Sequence, residues 1–309
     1  MENDLESWNG DIRLTSFVLA QTFFASAPLK AVAPQLLGRY AAWLDFAGRA
    51  QFRLYATETM KKFRPISEKT FGMLPAWLDE GQDLREFVAI TLNDSEKHDE
   101  PGRRIFDVFS EDAAAGTEDE RALAYLHLAL PAPEGEARLA AIAEFFKETC
   151  ASLPVRYATC GFGLETSPYY RREAQTLALA DSMRHPGVDV HMDHIERGTV
   201  KMGAVRTVNW LTYVDAALAE EAGGAAAIGS RLTDDVRQIS APNGILLQAG
   251  ERPGIGDINR GDRLPAYRAA HEALRPLVEK SLRQFGGFNL IGDDGSATER
   301  WYRRFEVPG

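Results

Sequence analysis

Three short apolar runs, residues 87–92, 105–109 and 122–130, are separated by polar turns such as Asn93-Asp94-Ser95 and Glu111-Asp112. Runs of this length, bounded by turn residues, predict consecutive antiparallel strands in a meander. The rest of the chain shows no regular strand-helix alternation, which argues against a doubly wound parallel sheet. The fold class expected is therefore α+β: antiparallel sheets with packed helices, two halves forming one compact unit.

Around the meander the elements mix. Residues 14–24 combine β-branched and aromatic side chains and run into Ala25-Ser26-Ala27-Pro28, a strand ending in a turn. Leu36, Leu37, Tyr40 and Leu44 recur at helical spacing, with Pro34 near the first turn, where its missing N–H does least harm. Pro131 to Gly135 reads as punctuation before a helix that buries Leu139, Ile142, Phe145 and Phe146. A strand is expected over 155–163, then a helix through Ala174 and Leu177 to Met183, stopped by His185-Pro186-Gly187. A long polar loop is expected next, with 200–208 extended and 211–218 helical up to Gly223-Gly224. Residues 236–239 and 245–247 form a hairpin around Pro242-Asn243-Gly244. The last long helix starts at Pro265, buries Tyr267, Leu274, Leu277, Val278, Leu282 and Phe285, is kinked at Pro276 and stops at Gly286-Gly287. An aromatic tail, Trp301 to Phe305, follows.

A chain of 309 residues could hold two domains, but the Pro131 to Gly135 stretch is too short to separate independent units. One unit spanning 1–309 is expected, with halves at roughly 1–152 and 153–309. Composition sets the partners. With 45% apolar and 26% charged residues the chain can build a sizeable core. Its net charge of −10 disfavours direct binding of nucleic acid or anionic lipid. The stretch from Met1 to Glu6 carries acids and no basic n-region, so no export is expected, and residues 17–24 fall short of the roughly 20 needed for a bilayer span. Two cysteines, Cys150 and Cys160, without a CxxC spacing fit a reducing, cytoplasmic compartment.

The densest set of metal-ligand side chains is Asp189-Val190-His191-Met192-Asp193-His194, with His185 just upstream. Imidazole and carboxylate together suit zinc or iron, and His191-x-Asp193-His194 echoes part of a metallo-β-lactamase-like ligand run. Asp189 stands where the first histidine of that run belongs, and His271 alone follows far downstream, so the reading preferred is a polar surface loop with no metal. A metal-dependent hydrolase using His191, Asp193 and His194 remains the alternative. Gly229-Ser230 lacks a nucleophile elbow, Cys160-Gly161-Phe162-Gly163 has no histidine that sequence can place beside it, and Gly254-Ile255-Gly256-Asp257 is not a phosphate cradle. No cofactor is expected.

Three stretches then carry a resemblance: Arg184 to Asp189, Val208-Asn209-Trp210-Leu211-Thr212, and Gly244 to Gly250 leading through Pro253 to Gly261 into Leu264 to Arg268. Their order and content are similar to the type VI secretion immunity family called TsiV-like, whose members protect against VRR-Nuc nuclease effectors. The resemblance implies a non-enzymatic protein that binds a cognate effector toxin and occludes its active site, an acidic body against a basic nuclease groove. The motifs themselves read as scaffold. Asp257 or Asn259 is expected to bond its own backbone, Arg260 to pair with a neighbouring carboxylate, and Trp210 to anchor the core with its indole N–H satisfied. Contacts are assigned to the acidic side chains Asp112, Glu118, Asp119 and Asp193, the first three in the acidic loop 111–120, which accompanies a second such loop at 93–101.

Overall fold

The computed structural model describes residues 5–27, 29–79, 87–111, 124–191, 205–282, 288 and 295–306. Among the described residues the framework is a sheet of eleven strands, beside a small ribbon of β1 (Trp8–Asn9) and β2 (Ile12–Arg13). The centre of the sheet is made by two long strands, β3 (Thr15–Ala25) and β9 (Val155–Thr166), which pair antiparallel from Thr15↔Thr166 to Phe24↔Tyr157. One comes from each half of the chain, so the sheet runs through both.

On the far side of β3 lies the predicted meander: β8 (Ala124–Pro131), β7 (Ile105–Glu111) and β6 (Phe87–Asn93), then β4 (Leu54–Thr57) and β5 (Arg64–Pro65). On the far side of β9 lie β11 (Leu211–Asp215), β13 (Gly244–Ala249) and β12 (Val236–Ala241). The hairpin β12–β13 closes on Ala241↔Gly244, which leaves Pro242-Asn243 as a two-residue turn.

The strands alternate in character, and this decides the layers. Leu19 and Phe23 of β3, Phe106 and Val108 of β7 and Leu126 and Leu128 of β8 enter the main core. That face is covered by α1 (Ala33–Ala47), α4 (Ala132–Ala137) and α5 (Leu139–Ser152). Tyr40 meets Phe106 at 4.8 Å between ring centroids, and Phe23 meets Phe146 at 5.1 Å. Trp43 donates its indole N–H to the Ile105 carbonyl at 2.9 Å, so a fully buried polar hydrogen is satisfied. Two short helices, α2 (Glu68–Phe71) and α3 (Met73–Leu78), extend this layer. In the second half, α7 (Ala216–Glu221), α8 (Ala225–Ser230) and α9 (Pro265–Leu282) pack on the β11–β13–β12 wing. Finally, α6 (Arg171–Arg184) lies against β9, and α10 (Ser296–Tyr302) packs on α6 and α9.

Three local expectations are corrected. Residues 211–218 divide into the strand β11 and the helix α7, because Asp215 accepts a hydrogen bond from Leu218 N at 2.7 Å and so starts the helix only there. Pro131 to Gly135, read as punctuation before a helix, is itself largely helical: Pro131 ends β8 and Ala132–Ala137 forms α4, with Gly135 pressed against Leu19. Asp189–His191, expected in a polar surface loop, is a buried strand, β10, pairing parallel with β9 from Asp189↔Gly163 to His191↔Glu165. The charge that argued for a loop is neutralised in the interior. Asp189 and Arg206, both fully buried, meet at 2.5 Å.

Candidate functional site

The face of the sheet opposite α1 and α5 is built from small and polar residues. On β3 this face carries Ser16, Val18, Ala20 and Thr22, and their partners on β9 include Gly161 and Gly163. Val18, Ala20, Ile105 and Ala129 form a small apolar cluster separate from the main core. With so little side-chain volume the face stays open as a cavity of about 450 Å³, reaching from β4 to β10. Thr57, Asn93, Asp107, Tyr169 and Gln175 line it together with His127, Glu165 and His191.

The last three form the most concentrated group. His127 sits opposite Thr22, whose Oγ1 lies 2.8 Å from Nδ1, while Glu165 Oε1 lies 2.7 Å from Nε2. In the sheet register His127 is level with Thr159 across β3, six residues short of Glu165. A flat sheet would separate them by about 20 Å along the strands, so their contact requires the sheet to coil around this concave face. His191 lies beside His127, the ring centroids 4.5 Å apart and the planes tilted by 39°. A Cβ on Gly163 would lie 2.6 Å from both Cδ2 and Nε2 of His191, so the missing side chain is what admits the imidazole. Gly161 does the same for Asn209, whose Nδ2 donates to the Phe162 carbonyl at 3.2 Å and whose Oδ1 accepts from Trp210 N at 2.8 Å.

The segment 93–101 is a wall of this cavity, not a free acidic loop. Asn93, Ser95, Glu100 and Pro101 are buried. Asp94 accepts from the backbone N–H groups of Arg103 and Arg104 at 2.8 and 3.0 Å, and Ser16 donates to the Pro101 carbonyl at 3.2 Å. Glu100 faces Lys97 at 3.3 Å and Arg13 at 3.8 Å. Deeper in, Asp107 accepts from Thr91 and Tyr125, both at 2.8 Å.

Of the residues singled out in the sequence, Asp112, Glu118, Asp119, Asp193 and His194 lie outside the described residues. His191 is described, and its neighbours are His127 and Glu165. His271 stands apart from that group, on α9, with Nε2 3.3 Å from Glu306. Cys150 and Cys160 are free and buried, and burial pushes both thiols above the usual range, which leaves them protonated and poor nucleophiles. Sequence reasoning missed His127 and Glu165. The signal that marks them is a lone polar residue on the alternate face of an apolar strand: Tyr125-Leu126-His127-Leu128-Ala129 and Phe162-Gly163-Leu164-Glu165.

The three stretches that carried the resemblance meet at one junction beside this face. His185 Nδ1 lies 2.6 Å from the Gly256 carbonyl, Gly187 N donates to Ile255 O at 3.0 Å, and Arg184 reaches Asp257 at 3.0 Å. That guanidinium holds the Asp257 carboxyl below its ordinary range. Trp210 is buried, and its indole N–H donates to Gly250 O at 3.2 Å. Asp257 accepts from Asn259 N at 3.0 Å and faces Arg260 at 3.6 Å. Behind them, Arg304 donates to Pro186 O and to Thr207 Oγ1, both at 2.9 Å, and lies over the Trp301 ring. These contacts tie the three motif stretches to one another and to Arg304.

A family model described as TsiV, type VI immunity for VRR-NUC, matches residues 36–305. The chain belongs to the TsiV family. Among solved structures it is similar to the Pseudomonas aeruginosa T6SS protein PA0821, with a TM-score of 0.82 at 19% identity, over 97% of this chain and 87% of that one. At that identity the likeness shows a shared fold. No curated protein matches the sequence. Among the described residues no helix is long and apolar enough to cross a membrane.

Proposed function

We propose that this TsiV-family chain neutralises a cognate type VI effector, a nuclease, by binding it and occluding its active site, without chemistry of its own. The observation that carries the reading is the match of the immunity family over residues 36–305. Charge supports it: a nuclease must present a basic groove to its substrate, and a partner of net charge −10 is attracted to such a groove and speeds its own association. The cytoplasm of the producing cell is the compartment in which this protection works. Both halves act as one unit, a reading supported by the sheet they share. Asp112, Glu118, Asp119 and Asp193 are proposed as contacts that steer the encounter.

The test is co-expression with the effector encoded beside the gene, scored by growth rescue and by co-purification at low and high salt. Rescue with salt-sensitive binding is expected. Charge reversal at the four acids should slow association more than it speeds dissociation. A pair that neither binds nor rescues growth would remove the reading.

A further inference from the structure

Effector binding calls for no group buried beneath the surface, yet the concave face gathers two imidazoles and a carboxylate there. One ligand atom from each of His127, Glu165 and His191 lies within 4.8 Å of the other two, and all three residues are buried. They come from three different strands, β8, β9 and β10, held in fixed register. We propose that His127, Glu165 and His191 form a binding site for a divalent transition cation of the zinc class, with its remaining coordination open to the cavity.

The donor set fits. Two imidazole nitrogens and one carboxylate oxygen suit zinc and its first-row neighbours and are poorly matched to magnesium or calcium, which take oxygen ligands. Metal–ligand distances of about 2.1 Å place tetrahedral ligands about 3.4 Å apart, so side-chain rotation within the observed 4.8 Å envelope completes the site. Supporting contacts are also in place. Thr22 Oγ1, 2.8 Å from His127 Nδ1, fixes that ring and directs Nε2 toward Glu165, the role that outer partners play for metal-binding histidines. Gly163 leaves the space that the His191 ring occupies, and Thr166 Oγ1 donates to the His191 carbonyl at 3.4 Å. Beyond the three residues, the cavity of about 450 Å³ supplies room for water or a small anion as a further ligand. The site differs from the run His191, Asp193, His194 suggested by sequence, because strand pairing supplies two of the three ligands from distant positions.

The full chain, purified without a histidine tag and stripped with a chelator, is titrated with Zn²⁺ by calorimetry and with Co²⁺ by visible absorption. Histidine ring resonances are followed in parallel by NMR. One equivalent of Zn²⁺ should bind, raise the melting temperature and shift the rings of His127 and His191 while those of His98 and His271 stay in place. Co²⁺ should give the ligand-field bands of a four- or five-coordinate nitrogen–oxygen site. His191→Gln and Glu165→Gln should each weaken binding by at least about tenfold. Should a variant fail to fold, the ring shifts of the unmodified chain decide. Absence of saturable binding would overturn the proposal, and so would a shift confined to His185 or His194.

Discussion

Gly163 and His191 form one unit: the glycine's Cα faces the imidazole so closely that any Cβ would lie 2.6 Å from two ring atoms. Gly163→Ala should therefore push the ring off its present rotamer at a cost of about 0.5–1.5 kcal/mol. Urea unfolding measures the cost, and an altered His191 resonance shows its cause. Unchanged stability with an unmoved ring would contradict the geometry.

The charge of Asp189 acts on two buried cations. Asp189 meets Arg206 at 2.5 Å, and its charge also acts on Arg304, whose guanidinium is brought down to about 10, chiefly by burial and further by Arg206. Asp189→Asn leaves both guanidiniums without that anion and should cost about 3–5 kcal/mol. Asp189→Asn with Arg206→Met should cost less than the two single changes added together, because the second removes the charge that the first exposes. An additive double-mutant cycle would show that the two side chains do not act as a pair.

Gly38 is an exposed glycine inside α1 with nothing within 4 Å of a built Cβ. Gly38→Ala should stabilise the chain by about 0.8–1 kcal/mol, since alanine restricts the unfolded state and fits the helix without strain. A higher denaturant midpoint at constant slope is the expected readout. A lower midpoint would mean that the glycine serves some contact other than the helix.

Burial lowers the His271 imidazole below its ordinary range, opposed by its bond to Glu306 and helped by Arg304. Unfolded, the ring takes up a proton near pH 6.5. Folded, it does so only at lower pH, so the unfolded state gains protons first and stability falls as pH drops below that point. One proton limits this slope to about 1.4 kcal/mol per pH unit. Unfolding free energies measured from about pH 7.5 to about pH 5 should decline less steeply for His271→Gln than for the parent. Parallel curves would show that His271 does not carry the dependence.

The sequence by itself determined the elements whose stabilisation is local or periodic. The strand 15–25, the meander, helices α1, α5, α6 and α9, and the Pro242-Asn243 turn all follow from alternation, helical spacing and turn residues. The same holds for the turn at 257–260: Asp257 bonding Asn259, and Arg260 facing Asp257, are contacts within a few residues. Asp189–His191 was misread because its neutralising partner, Arg206, is seventeen residues away, and composition records the charge without the partner. The grouping of His127, Glu165 and His191 was decided by tertiary structure alone. It depends on the register of four strands and on the coiling of the sheet, and both come from packing between residues far apart in the chain.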